Sequence, residues 1–265
     1  MNYTRSSAKY NQTLRLRRIP APAMNPTTPP DDAPDRPRRQ LRSFVRRAGR
    51  LTAGQARALD RLGPRYLLDP GAATLDLDAA FGRHAPRVLE IGFGSGEALL
   101  ALAGRCPWAD FVGVEVHEPG IGHLLMELER AGLDNVRAIC RDVVEVLAAL
   151  APDTAFDAVN VFFPDPWPKK RHHKRRLIQP PFIARLAGVQ PPGALLHFAT
   201  DWQPYAQHVA EVVDADARYA RIEPEQAERD PLAWRPETRF ERRGLRRGHE
   251  VSDLYWRRTD VPAAG

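Results

Sequence analysis

The chain has 265 residues, 43% of them hydrophobic, and a formal net charge of +6. That length can bury a full core, while the longest apolar runs fall far short of a bilayer span. Only two cysteines, Cys106 and Cys140, are present, too few for a disulfide framework or a Cys-x-x-Cys zinc pattern; a reducing, cytoplasmic setting fits.

The charge is unevenly placed. Residues 1–50 carry 12 Lys/Arg against 3 Asp, a net +9 that leaves the rest of the chain at −3. Residues 1–40 are basic, polar and rich in proline, with Pro29-Pro30, Pro34 and Pro37. Such a stretch buries too little apolar surface to offset the entropy of ordering it, so a disordered tail is expected. Met24 lies inside it and is a candidate translation start. Residues 41–70 read as a basic arm, Ser43-Phe44-Val45-Arg46-Arg47, followed by a helix capped by Thr52. One domain over 71–260 is expected to follow.

Within that domain, strands are predicted over residues 87–91, 111–116, 136–140, 156–163 and 194–199. Helices are predicted over 97–105, 121–131 (closed by Gly132), 143–150, 175–186 and around 205–214. The fourth of these is expected to be interrupted near Pro180-Pro181. Strands alternating with helices at this spacing imply a mostly parallel sheet with helices on both faces. Residues 238–242 and 251–257 read as two further strands, separated by Gly244 and Gly248, that close one edge as an antiparallel hairpin.

The first strand runs into a glycine turn, Glu90-Ile91-Gly92-Phe93-Gly94-Ser95-Gly96-Glu97. Such a turn lets a ligand approach the backbone closely. Glu115 ends the second strand, where a carboxylate can bind ribose hydroxyls, and Asp142 follows the third, where it can accept from an exocyclic amino group. These are the carboxyl ends of successive strands, the edge at which open parallel sheets bind ligands. A dinucleotide and S-adenosylmethionine compete for the site. Glu90 and Glu97 flank the glycines; acids there repel a pyrophosphate and suit a sulfonium and an ammonium group, so S-adenosylmethionine is preferred.

After the fourth strand comes Phe162-Phe163-Pro164-Asp165-Pro166-Trp167, then the basic block Lys169-Lys170-Arg171-His172-His173-Lys174-Arg175-Arg176. Two prolines restrict the backbone around Asp165. Trp167 either stacks on a base or packs against the sheet. His172 and His173 lack convergent ligands for a metal, so no metal is expected. Asp201 follows the fifth strand, as a ligand group or as a helix cap.

Together these segments resemble the bacterial tRNA (guanine-N7)-methyltransferase family. The resemblance spans roughly residues 42–257, through the glycine turn, Gly113-Val114-Glu115-Val116-His117, the Pro-Asp-Pro-Trp loop with its basic block, Ala199-Thr200-Asp201-Trp202 and Thr238-Arg239-Phe240-Glu241. Pro168 and Lys170 vary the loop, and the first forty residues match nothing. The resemblance implies a class I, Rossmann-like methyltransferase fold with a seven-stranded sheet whose last strand is antiparallel. It implies that Glu90, Gly92, Gly94, Glu115, Asp142 and Asp165 bind S-adenosylmethionine and that Asp165 acts at the catalytic centre. Lys169, Asp201, Thr238, Arg239, Phe240 and Glu241 would bind the substrate. Arg171, His172, His173, Lys174, Arg175 and Arg176 would meet RNA. The target would be the variable-loop guanosine of tRNA, and the enzyme a monomer or homodimer.

Guanine N7 carries an in-plane lone pair and no proton, so methyl transfer to it requires placement and electrostatic support rather than a general base. Asp165 is therefore expected to orient and stabilise, not to accept a proton from N7.

Overall fold

The computed structural model describes residues 49–262, apart from 72–73, 151–153, 247 and 249. The expected tail, Met24, the arm at 43–47 and the side chain of Phe240 lie outside the described residues.

Helix α1 (Ala53–Tyr66) begins at Thr52, whose side chain accepts from the Gln55 N–H while Gln55 answers from its own side chain, a reciprocal capping box. Its buried residues Ala58, Leu62 and Tyr66 pack with those of α4 (Glu118–Ala131). Just past the helix, Leu68 donates its N–H to Ala138 O at 2.9 Å, which ties the segment leaving α1 to the sheet. A short α2 (Leu77–Phe81) follows.

The sheet is built from β1 (Arg87–Ile91), β2 (Asp110–Val114), β3 (Val136–Ile139), β4 (Ala158–Phe162), β5 (Leu195–Thr200), β6 (Tyr219–Ile222) and β7 (Ser252–Arg258). Their order is β3-β2-β1-β4-β5-β7-β6. The five strands β1 to β5 pair in parallel, and β7 lies antiparallel between β5 and β6. This is the seven-stranded, mostly parallel sheet with an antiparallel edge that the family resemblance implies.

β1 is buried along its whole length and feeds two cores. Leu89 and Ile91 join the face covered by α5 (Val143–Ala149), α6 (Pro180–Ala187) and α7 (Gln203–Asp214). Val88 joins the face covered by α1, α3 (Glu97–Arg105) and α4. Side chains alternate across a strand, so Glu90 shares the Val88 face. A charged residue in a fully buried strand is the first sign of a site.

Two predicted elements differ. Pro180 and Pro181 start α6 rather than interrupt a longer helix, because proline is tolerated where the helix N–H has no partner anyway. Residues 170–175 form a separate 3-10 helix, Lys170–Arg175. Residues 238–242, read as a strand, open helix α9 (Arg239–Leu245): Thr238 caps it and Glu241 completes the box, and this local signature outweighs the strand-like alternation. The partner of β7 in the closing hairpin is therefore β6. A short α8 (Pro224–Ala227) and a 3-10 turn, Pro231–Ala233, connect β6 to α9. No described helix is long and apolar enough to cross a membrane.

Candidate functional site

β1 ends in a turn whose Gly92 and Gly94 have φ of +74° and +59°, a region that L side chains avoid. The turn opens a cavity of about 420 Å³ lined by Glu90, Gly92–Ser95, Glu97, Ala98, Phe162, Phe163, Thr238 and Arg239. Its floor is thus the carboxyl end of β1 and β4, and one wall is the start of α9.

Glu90 is 3% exposed, and its Oε2 has no hydrogen-bond partner among the described residues. Burial pushes its carboxyl up to about 8. A buried, unpartnered acid beside a cavity suits a cationic or hydrogen-bonding group. Glu90, Asn160 and His197 are cross-strand partners on β1, β4 and β5, and so stand on one face of the sheet. The Asn160 amide and His197 Nδ1 are likewise buried without a partner among the described residues.

Glu115 turns back onto the glycine turn. Its Oε2 accepts the Gly94 N–H at 2.9 Å, and its Oε1 accepts those of Val116 at 2.7 Å and His117 at 3.0 Å. A carboxylate has about four lone-pair sites, so three amides leave room for a ligand hydroxyl. Asp142 caps α5, accepting the Val144 N–H at 2.9 Å. Neither Glu115 nor Asp142 lines the cavity itself; each stands just past the carboxyl end of its strand, on the same edge as the glycine turn.

The loop after β4 is held under tension. Phe163 and Trp167 have φ of +50° and +45° and bracket Pro164-Asp165-Pro166. Such conformations cost bulky residues on the order of 1–3 kcal/mol each and persist only where surroundings impose them. Here the Phe163 N–H donates to Ala199 O at 2.8 Å, and Arg176 Nε donates to Pro166 O at 3.0 Å. Asp165 itself is exposed. Trp167 packs with the basic block: the Arg175 guanidinium lies 5.0 Å from its ring centre and His172 meets it edge-on at 5.8 Å.

The 3-10 helix Lys170–Arg175 has no buried residue, and Lys169, Lys170, Arg171 and Lys174 are exposed. Arg176, expected on the RNA face, is instead 3% exposed and lies over the Tyr205 ring at 4.9 Å. It braces the loop from beneath, because its guanidinium is already bonded to the Pro166 carbonyl. Trp202, not Asp201, occupies the N-cap of α7, and no side chain caps that helix. Among the described residues no group of three or more His, Cys, Asp or Glu could hold a metal ion.

At the cavity wall, the Glu241 N–H donates to Thr238 Oγ1 at 3.2 Å, and the Thr238 N–H to Glu241 Oε2 at 3.3 Å. Glu241 is buried and paired with Arg235, so it supports the wall while Thr238 and Arg239 face the cavity. Sequence reading missed Arg235 and Asp253, whose pairing joins elements 18 residues apart and leaves no local periodic signal. Burial opposes ionisation of Asp253, yet its bonds to Arg235 and His197 outweigh it and hold the carboxyl well below the usual carboxylate range.

The chain is similar to known proteins along most of its length. Residues 84–254 match a protein-family profile described as "Putative methyltransferase". A tRNA (guanine-N(7)-)-methyltransferase of Alkalilimnicola ehrlichii is 54% identical over 228 residues, covering 85% of this chain and 95% of the relative. The protein of the same description from Burkholderia pseudomallei is 54% identical, covering 86% of this chain and 85% of its own. That of Halorhodospira halophila is 53% identical, covering 83% and 95%.

Proposed function

Given that the chain belongs to the tRNA (guanine-N(7)-)-methyltransferase family, we propose that it transfers a methyl group from S-adenosylmethionine to N7 of the variable-loop guanosine of tRNA. The observation that carries this reading is one juxtaposition. An acid-floored cavity at the end of β1 and an exposed cationic turn after β4 are joined by the loop that bears Asp165.

S-adenosylmethionine supplies an electrophilic methyl group on a cationic sulfur. The residues present fit such a group: Glu90 offers an unpartnered buried carboxyl to a cation, and Glu97 adds a second acid to the lining. Glu115 would take a ribose hydroxyl, Asp142 an exocyclic amino group, and Gly92 and Gly94 let the ligand lie against backbone.

Guanine N7 needs no deprotonation. The protein's part is to place the base in line and to support positive charge as it passes to the purine. Asp165 does this from a loop whose backbone is fixed on both sides. Thr238 and Arg239, with Asp201 just past β5 and Lys169 at the head of the cationic turn, would hold the guanosine. Lys170, Arg171, Lys174 and Arg175, with His172 and His173 beside them, would hold the phosphate backbone, and N7 would become reachable by partial extrusion of the base. The setting is the cytoplasm.

The test is transfer of labelled methyl from S-adenosylmethionine to unmodified tRNA, followed by nucleoside mapping. Label in N7-methylguanosine at the variable loop is the expected result. Transfer to small molecules alone, or to another base, would contradict the proposal.

A further inference from the structure

Arg235 touches three walls of the site at once. Its side chain is 9% exposed. Toward α9, Nη2 donates to Glu241 Oε1 at 2.9 Å and Nη1 pairs with Oε2 of the same carboxylate, which closes the capping box on Thr238. Toward β7, Nε donates to Asp253 Oδ1 and Nη2 to Oδ2, both at 2.7 Å. Asp253 in turn lies 2.7 Å from Nε2 of His197 on β5. Toward β4, the guanidinium carbon stands 5.8 Å from the Phe162 ring centre and 5.4 Å from that of Phe163. Both rings line the cavity, and Phe163 is the strained residue two positions before Asp165.

A planar guanidinium can serve two carboxylates bidentately and stack on a ring; an ammonium cannot do all three. A buried ion network of this kind contributes little net stability compared with apolar packing of the same volume, although loss of one partner alone is costly. The elements it joins are the ones that must stay in register: the turn that carries Asp165 and the helix start that carries Thr238 and Arg239.

We propose that Arg235 is a positioning residue for methyl transfer, holding the Phe163–Asp165 turn and the α9 N-terminus as one unit against β5 and β7. It acts through Glu241, Asp253 and the two phenylalanines and touches no reacting atom. The proposal rests on the methyltransferase reading above.

Full-length wild type, Arg235→Lys and Asp253→Asn are compared for thermal unfolding, for S-adenosylhomocysteine affinity by calorimetry, and for kcat and KM on tRNA. In a folded Arg235→Lys variant, kcat at saturating substrates falls by about tenfold or more, because misplacement by an ångström or less is enough for that. Affinity for S-adenosylhomocysteine falls by less than kcat does, since Glu90 and the glycine turn are untouched although Phe162, Phe163, Thr238 and Arg239 share the lining. Asp253→Asn, which weakens the side of the network away from the cavity, lowers kcat in the same way and carries the test where the Lys variant does not fold. A folded variant with wild-type kcat, or equal losses in kcat and affinity, would overturn the positioning role. A wild type that neither binds S-adenosylhomocysteine nor methylates tRNA would overturn the underlying reading instead.

Discussion

Glu97, on the first turn of α3, accepts the backbone N–H of Arg239 at 2.8 Å although 142 residues separate them. Its other oxygen accepts from Arg242 Nη2 at 3.0 Å. The glycine turn and α9 are thereby clasped across the mouth of the cavity. The clasp is partly exposed, so Glu97→Ala should cost less than about 1 kcal/mol of stability. Its effect on binding should be larger: affinity for S-adenosylhomocysteine falls by about tenfold, equivalent to about 1.4 kcal/mol. Calorimetry alongside thermal melts separates the two.

Glu90 makes ligand affinity depend on pH. Burial raises its carboxyl from 4.5 to about 8, so the free protein holds that proton at neutral pH. A cationic ligand favours the ionised form. Affinity for S-adenosylhomocysteine, which carries an ammonium group, should therefore rise with pH and level off above about 8, with proton release on binding at pH 7. Calorimetry in buffers of different ionisation enthalpy reads the released proton directly. Stability runs the other way. Between 4.5 and about 8 the folded protein retains a proton that the unfolded chain has lost, so the contribution of Glu90 is full below that window and declines through it. Glu90→Gln should remove the decline, melt above wild type at pH 9, and bind S-adenosylhomocysteine more weakly at every pH.

Much of this arrangement is legible in the chain. The strand Arg87–Ile91 and the helix Glu97–Arg105 have their predicted bounds, because Val88, Leu89 and Ile91, a glycine turn and an acidic first helical turn leave little choice. The hairpin edge is less legible. β6 has only four residues, two of them exposed, and offers no hydrophobic alternation. α9 carried its Thr-x-x-Glu signature in plain view, but Thr238, Arg239 and Phe240 also suit a strand. Arg176 shows a different limit: inside a run of cations nothing local distinguishes the buried one, whose position depends on Pro166 and Tyr205 meeting it in space. Arg235 depends in the same way on Asp253.

Asp165→Ala should lower kcat by roughly 10²-fold through loss of orientation and charge support. N7 has no proton to remove, so no proton transfer to Asp165 accompanies methyl transfer, and the wild-type single-turnover rate should be the same in H2O and D2O. A rate that falls severalfold in D2O would contradict this.

Binding of tRNA should weaken steeply with salt. Lys170, Arg171 and Lys174 are exposed on one 3-10 turn. Replacing all three by Gln should reduce the slope of log affinity against log salt by about two, because each neutralised phosphate adds roughly 0.7 to that slope. The same change should leave S-adenosylhomocysteine affinity unaltered. Filter binding at several salt concentrations measures the slope.

The atom that receives the methyl group can be tested by deleting it. A tRNA carrying 7-deazaguanosine at the variable-loop position keeps the shape of the base and lacks N7. Transfer to N7 predicts that this tRNA binds as the unmodified one does and accepts no labelled methyl there, while ordinary guanosine at the same position is methylated. Methylation of the 7-deaza tRNA at that nucleotide would contradict it.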